Sequence, residues 1–293
     1  DAEQRRVPEL YTAAVEQLGH ASAAVRLGAL YALQRLGQDH PEQRHPIVNV
    51  WCAYLRMPFR DPDASDVDEQ ERAERLQEAE VRLTIQRLLR EHIHSGPHRD
   101  EPASPRFWGD ELDVDLTGAT LYKLDLDKCR IHPNTAFTNA TFRGHATFAD
   151  ATFTGRAGAF DASTFCGHAT FTHARFTRGA WFTRTRFADG AWFDYAAFTG
   201  PTVFVQATFS GDATFADATF TGRVGMFDEA KARRDRKHVW PAGWELVAAG
   251  PGDVPKGGDP NVAWGCLVPV PTSNDPSAHP EASTGTVDGA AQP

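Results

Sequence analysis

Three histidines near residue 95 are the residues of this chain whose type and spacing suggest metal chemistry. They are His92, His94 and His98. Neutral imidazoles are good zinc ligands, but a zinc site also needs a carboxylate or thiolate nearby and a closed geometry. Protonated histidines are also stabilised by the dipole at the carboxyl end of a helix. We therefore expect these side chains to sit at a helix end, with a metal site as the alternative.

Carboxylates and a second pair of histidines recur further along the chain, where they could serve acid–base chemistry. Paired carboxylates act as general acid and base when a pocket holds them together. His145 and His168 both stand three residues before a phenylalanine, in the motif GHATF. The aspartates of this region are Asp125, Asp127, Asp150, Asp161, Asp189, Asp194, Asp212 and Asp217. Their role depends on the elements that position them.

Two tryptophans and a basic run suggest binding rather than catalysis. Trp181 and Trp192 each stand directly before a phenylalanine. Exposed tryptophan often anchors protein interfaces, and burial beneath a neighbouring domain is the alternative. Residues 231–237 read KARRDRK. We expect a capping helix there, because the open end of a sheet-like structure exposes unpaired backbone groups, and nucleic-acid contact is the alternative.

Composition excludes several classes of function. The motifs GxxxxGK[ST], GxSxG and HExxH do not occur, nor does GxGxxG after a strand. The net charge of -9 disfavours general nucleic-acid binding. The four cysteines are far apart and form no CxxC, which favours reduced thiols in the cytoplasm. We expect no catalytic residue, no cofactor and no metal, and no segment here is apolar enough to span a membrane.

Residues 1–95 show the apolar spacing of helices. Leu10, Ala14 and Leu18 fall four residues apart, and further apolar stripes follow. They comprise Leu27, Leu30, Tyr31 and Leu33, then Ile47, Val50, Trp51, Tyr54 and Leu55, then Val81, Ile85, Leu88 and Leu89. The stretch VRLGALYALQRLG resembles the second helix of a HEAT-like hairpin. Because the chain begins at Asp1 without a methionine, we expect an upstream piece, which could hold a membrane anchor at the cytoplasmic face.

The region 107–230 has a different rhythm. Large apolar residues recur after five or six positions, with two gaps of seven. They are Leu116, Leu121, Leu126, Ile131, Phe137, Phe142, Phe148, Phe153, Phe160, Phe165, Phe171, Phe176, Phe182, Phe187, Phe193, Phe198, Phe204, Phe209, Phe215, Phe220 and Phe227. Two residues before most phenylalanines stands alanine or another small residue. This period fits neither a helix nor a flat strand.

A coil that turns a corner every five residues explains the period. Each side then points one small and one large side chain inward, and successive turns stack at the strand spacing of about 4.8 Å. Fixed short periods of this kind indicate a solenoid. The aspartates and His145 with His168 then lie on an outward convex surface, so we expect solvated side chains, with the two histidines stacked. Trp181 and Trp192 point outward on opposite sides.

Units such as ATLYK, NATFRG and DATFTG resemble the pentapeptide repeat family. The resemblance implies a right-handed quadrilateral β-helix. The layout is also similar to that of pentapeptide proteins of high-GC actinobacteria, in which a helical section precedes the coil. Alternate units here carry an extra residue, giving about 22 residues per turn. We expect that residue to bulge at a corner without changing the inward register.

The stretch ATFADATFTGR occurs at residues 146–156 and again at 213–223. Its spacing predicts that both copies lie on one side of the coil, three turns apart. Identical sequence indicates that packing constrains these positions, which favours a scaffold over an active site.

The sequence therefore predicts a mixed fold. It comprises a helical region at 1–95, a linker at 96–106, the coil at 107–230, a capping segment at 231–270 and a disordered tail at 271–293. The favoured function is a non-enzymatic scaffold that binds an unknown protein partner. The alternative is a DNA-mimic inhibitor of a type II topoisomerase. Residues 135–227 hold six aspartates, no glutamate and seven arginines, and this near-neutral balance disfavours mimicry.

Overall fold

Four helices open the chain in the computed structural model, which describes residues 2–65, 67–93, 106–109, 111–154, 159–222, 226–250 and 252–270. They are α1 (Ala2–Leu18), α2 (Ala23–Asp39), α3 (Arg44–Arg56) and α4 (Glu69–Ile93), with a short 3-10 helix at Pro41–Gln43 before α3. The Asp68 carboxylate accepts the backbone N–H of Glu71 and so caps the start of α4. Leu30, Trp51 and Ile85 are fully buried where the helices meet. The predicted helical region is confirmed.

The repeat region is a four-sided β-solenoid of about five turns, as its period predicts. We name its sides faces A to D in chain order. Face A holds Val114–Asp115, Thr135–Ala136, Ala180–Trp181 and Thr202–Val203. Face B holds Thr120–Tyr122, Thr141–Arg143, Thr164–Phe165, Arg186–Phe187, Thr208–Phe209 and Lys231–Arg233. Face C holds Ala146–Thr147, Ala169–Thr170, Ala191–Trp192, Ala213–Thr214 and His238–Val239, and face D holds Arg130–Ile131, Thr152–Phe153, Arg175–Phe176, Ala197–Phe198 and Thr219–Phe220.

Stacked phenyl rings fill the interior. On face C the rings of Phe148, Phe171 and Phe193 follow one another at centroid distances of 4.9 and 4.8 Å, almost parallel. Rings from adjacent sides meet edge to face, as Phe171 does with Phe182 at 5.5 Å and 86°. Aromatic pairs favour both geometries. The other large residues of the repeat are also buried, apart from Phe220 at the end of its stack, which is half-buried.

Two kinds of corner absorb the alternating gaps. After faces A and C the gap is five residues, and a turn closes it: the N–H of Ala151 donates to the Phe148 carbonyl, with Asp150 at φ 57° between them. A positive φ at the second central residue is the signature of a type II turn. After faces B and D most gaps are six residues long. The register between successive turns is unchanged, with Phe165 opposite Phe187 and Phe187 opposite Phe209, and the bulge itself stays a prediction.

Glycines at the wider corners let backbones stack directly. A Cβ on Gly211 would lie 2.3 Å from the carbonyl carbon of Asp189, and a Cβ on Gly200 would lie 2.4 Å from that of Arg178. Neither distance is sterically possible, so only glycine permits this stacking. The centres of the two seven-residue gaps, residues 155–158 and 223–225, lie outside the described residues.

Helix α4 covers the first turn of the coil. The Gln86 amide donates to the Tyr122 carbonyl at 2.8 Å and accepts the Tyr122 N–H at 3.1 Å, as a neighbouring strand would. The Arg90 guanidinium donates to the Asp125 carboxylate at 3.1 Å and to the Asp127 carbonyl at 3.3 Å. These contacts satisfy the unpaired strand edge that opens the solenoid.

A hairpin and not a helix covers the last turn. The helix predicted over Lys231 to Lys237 is wrong: Lys231–Arg233 pairs with Thr208–Phe209 and continues face B, so these residues form strand bonds instead. The hairpin strands are Trp244–Ala248 and Trp264–Pro269, and the second runs antiparallel to Lys231–Arg233. The Trp240 ring closes the interior, 5.4 Å from the ring of Phe209.

The two identical stretches lie where the sequence predicts. Ala146 pairs with Ala169, Ala169 with Ala191, and Ala191 with Ala213, all on face C. The copies thus begin on the same side, three turns apart, and both continue onto face D.

Candidate interaction surface

The four sides of the coil differ in charge, although their sum is close to neutral. Seven aspartates lie on face C and its two corners: Asp125, Asp127, Asp150, Asp189, Asp194, Asp212 and Asp217. Face D carries Arg130 and Arg175, and Arg178 follows at the corner between faces D and A. The described part of face D carries no acidic residue. The composition of the repeat alone hides this separation.

Most aspartates of face C bind the coil's own backbone. The Asp194 carboxylate accepts the N–H of Ala216 at 2.9 Å and the hydroxyl of Thr214, one turn further on. Asp127 makes the same contacts with Ala149 and Thr147. These carboxylates therefore join successive turns. Their hydrogen bonds to backbone groups give them a structural part in the coil.

His145 and His168 meet at the corner between faces B and C. Their ring centroids are 6.1 Å apart and the rings are perpendicular, so they touch edge to face instead of lying parallel. His168 Nδ1 lies 3.3 Å from the Asp189 carboxylate, and its ring lies 4.7 Å from that of Trp192. The histidines thus take part in packing at the surface of this corner.

Trp181 and Trp192 occupy equivalent places on opposite sides, faces A and C. Both belong to the sequence GAWF, and both indoles fold back over the corner glycine of that motif. A Cβ on Gly179 would lie 2.5 Å from the Trp181 ring, and one on Gly190 would lie 2.9 Å from the Trp192 ring. Both tryptophans are half-buried by the coil itself. His168 also covers Trp192, whereas Trp181 lies beside Val203 of the next turn.

A single turn of the coil concentrates exposed arginine around Trp181. Arg175, Arg178 and Arg184 lie within ten residues, in RFTRGAWFTR, and all three are exposed. None of them has a hydrogen-bond or ion-pair partner among the described residues. We call Arg175, Arg178, Trp181 and Arg184 the arginine belt. Sequence reasoning counted these arginines only in the net charge, yet their spacing around GAWF was a usable signal.

Of the three histidines near residue 95, His92 lies within the described residues, and its ring packs against other side chains. The His92 ring lies 3.8 Å from that of Trp108, and His92 Nδ1 is 2.5 Å from the Arg106 carbonyl. Burial lowers the pKa of His92 below its ordinary value. His94 and His98 lie outside the described residues. No cluster of potential metal ligands occurs in the described ranges.

Two spaces border the helical region. A void of about 10 Å³ lies between the helices and the first turn, lined by apolar residues including Leu55 and Phe137. An open groove of about 760 Å³ runs between α2 and α4, lined by Tyr31, Arg87 and other polar residues. The cysteines are all free, and burial raises the pKa of the Cys52 and Cys129 thiols to about 12. Such thiols are poor nucleophiles.

These features define a class of protein before any comparison: a solenoid of short repeats with covered ends, a filled interior and flat outer sides. Family comparison agrees. The family model for pentapeptide repeats (9 copies) matches residues 116–158, 137–186 and 182–230, and this part of the chain belongs to the pentapeptide repeat family. No curated protein and no solved structure matches the chain. Within the described residues, no helix is long and apolar enough to cross a membrane.

Proposed function

We propose that this chain is a non-enzymatic interaction module whose coil binds a partner protein through face A. The observation that carries the proposal is the arginine belt, with a half-exposed Trp181 at its centre. Tryptophan and arginine are the residues most enriched where interfaces gain their binding energy. Because phenyl rings fill its interior and its ends are covered, the coil can hold such a surface rigidly. The free cysteines favour a reducing, cytoplasmic setting.

Trp192 is the matched control for this proposal. It has the same GAWF setting, but it lies on the acidic side and His168 covers its ring. Cross-linked capture from the source cells should therefore retain a specific partner with Trp192→Ala and lose it with Trp181→Ala. A partner that remains bound to Trp181→Ala would show that face A is not the binding surface. Loss with both variants would point to a damaged coil, which circular dichroism would detect.

Topoisomerase inhibition by DNA mimicry is a second candidate, favoured by the grouping of aspartates on face C. Against it, Asp127 and Asp194 are engaged by the coil's own backbone, and histidines interrupt the acidic rows. We expect the chain to leave gyrase supercoiling of plasmid DNA unchanged. Inhibition that Asp150→Asn with Asp217→Asn abolishes would establish mimicry instead, because these two carboxylates are exposed and have no partner among the described residues.

A further inference from the structure

The outward residues of face A are apolar on four successive turns. Ala136 and Ala159 follow one another, and Trp181 and Val203 continue the row in register. All four are half-buried, whereas the neighbouring Ala180 points inward and is fully buried. An apolar row with a charged border is typical of a binding surface. Face A thus offers a flat place for an apolar side chain of a partner.

The arginine belt borders this row on both sides at the turn of Trp181. Arg178 lies at the corner between faces D and A, and Arg184 lies at the corner between faces A and B. The Trp181 indole folds back over Gly179, toward Arg178. Arg175 adds a third positive charge on face D of the same turn. Three exposed guanidinium groups, without partners in the described part of the chain, therefore surround one apolar centre.

Positive charge is confined to this turn along the corner between faces A and B. The place of Arg184 is taken on other turns by Asn139, Ala162, Gln206 and Glu229. Asp228 stands beside Glu229, so the last turn of this corner is acidic. A nucleic-acid strand or an anionic membrane spreads its negative charge over several turns, and the acidic turn would repel it. A short acidic protein segment can place its charges at the belt alone.

The belt also determines the direction in which such a segment lies. Arg178 and Arg184 stand at the two ends of one side, so a segment that meets both must cross the coil along its strands. Six residues separate them, which limits the distance between their Cα atoms to about 22 Å. In an extended segment every second side chain points to the same side, at steps of about 6.7 Å. Carboxylates at the first and fifth positions are then about 13 Å apart, within reach of two arginine side chains, and the third position lies over Trp181.

We infer that face A binds an extended acidic segment of a partner protein, with one carboxylate at Arg178, a second at Arg184 and an apolar side chain on Trp181. The inference rests on the proposed function and adds the chemistry and direction of the bound segment. Guanidinium groups form strong, directed hydrogen bonds with carboxylates, so the two arginines fix the ends of the segment. Trp192 has the same GAWF setting on face C, but the aspartates of that side repel an acidic segment.

A rhodamine-labelled peptide, Ser-Asp-Ser-Leu-Ser-Asp-Ser, tests the inference by fluorescence anisotropy with the full chain. The peptide should bind, and Arg178→Ala with Arg184→Ala should lower its affinity by about tenfold, the expected effect of losing two exposed ion pairs. Salt near 1 M should weaken binding similarly, since exposed ion pairs are screened. Trp181→Ala should also weaken it. Trp192→Ala and the exposed Arg236→Ala are the controls, and both should leave the affinity unchanged.

Control peptides separate charge from direction. Replacing both aspartates by asparagine should remove the dependence on Arg178 and Arg184. The isomer Ser-Ser-Ser-Leu-Ser-Asp-Asp has the same charge at one end only, and it should bind about tenfold more weakly because it loses one end of the belt. Absence of binding by the first peptide at about 1 mM, or equal binding by the isomer, would overturn the inference.

Other ligands decide between acidic protein and phosphate. An oligonucleotide of about twelve nucleotides or phosphatidylserine vesicles should bind more weakly than the peptide. Tighter binding of either, lost with Arg178→Ala and Arg184→Ala, would overturn the inference and assign the belt to phosphate groups. The proposed function is tested separately by partner capture. Capture that depends on Trp181 without peptide binding would leave that function standing and remove only the acidic segment.

Discussion

Replacing Phe171 by alanine is expected to lower the free energy of unfolding by about 3–5 kcal/mol. The Phe171 side chain is fully buried in the middle of the coil. Its ring stacks between Phe148 and Phe193 and meets Phe160 and Phe182 edge to face. Because rings above and below are held by their own strands, the coil cannot close around the cavity. Chemical denaturation of the purified chain measures the loss.

Phe220 is the matched control for Phe171. It has the same place in the repeat, but it ends its stack and is half-buried. It stacks on one side only, against Phe198 at 4.7 Å. Phe220→Ala should therefore cost about 1–2 kcal/mol, since less apolar surface is lost from the interior. Equal losses at the two positions would contradict the view that doubly stacked rings carry the stability of the coil.

The interior of the coil was predictable because one rule repeats. A slip of one residue in any unit would turn the phenylalanine outward, so every unit must keep the same order of small and large residues. That constraint is visible in the sequence as a period. The position of the two ATFADATFTGR copies followed from the period alone, and the structure places their first residues, Ala146 and Ala213, on face C.

The ends of the coil were not predictable in the same way. Each end of a solenoid occurs only once in the sequence, so no repeating pattern indicates what covers it. Gln86 and Arg90 appear in the sequence as ordinary polar residues of a charged helix, yet Gln86 pairs with the backbone of Tyr122. At the other end, KARRDRK reads as a basic helix. Its backbone forms strand bonds because the turn before it offers an open edge.

The charge pattern of the surface was hidden by averaging. The net charge of a segment is summed along the sequence, whereas the coil places neighbouring units on four different sides. Arg178 and Asp189 are eleven residues apart and lie at opposite corners. Assigning each unit to its side, which the gap pattern allows, would have revealed the acidic face C and the arginine belt from sequence. The roles proposed for Trp181 and Trp192 remain predictions.

The junction between the helices and the coil depends on one buried cation, Arg82. Its side chain is 1% exposed. Nη2 donates to the carbonyls of Met57 and Pro58 at 2.8 and 3.1 Å, and Nη1 donates to that of Leu55 at 3.1 Å. Nε donates to the Glu78 carboxylate at 2.8 Å. One guanidinium thus satisfies the carboxyl end of α3 and a carboxylate of α4.

The same guanidinium reaches the coil. Nη1 is 3.4 Å from the Thr120 carbonyl at the start of the first strand of face B, and the group lies 4.9 Å from the ring of Phe59. Removing it takes this donor from the carbonyls of Leu55, Met57 and Pro58. Glu78 also loses one of its partners and keeps the Tyr54 hydroxyl and Arg26. Uncompensated buried polar groups are costly, because each loses its contacts with water and gains nothing in return.

Arg82→Ala is therefore expected to lower the free energy of unfolding by about 3–5 kcal/mol, the usual loss when one partner of a buried ion pair is removed. Arg87→Ala is the control on the same helix: Arg87 is exposed and binds only the Tyr31 hydroxyl among the described residues, so its loss should cost less than about 1 kcal/mol.

Hydrogen exchange adds a local measurement. Residues 120–122 should lose protection in Arg82→Ala before the later strands of face B do, because the helix that covers them is released. Similar stability of the two variants, with protection at 120–122 retained, would show that the helices and the coil stay joined without Arg82.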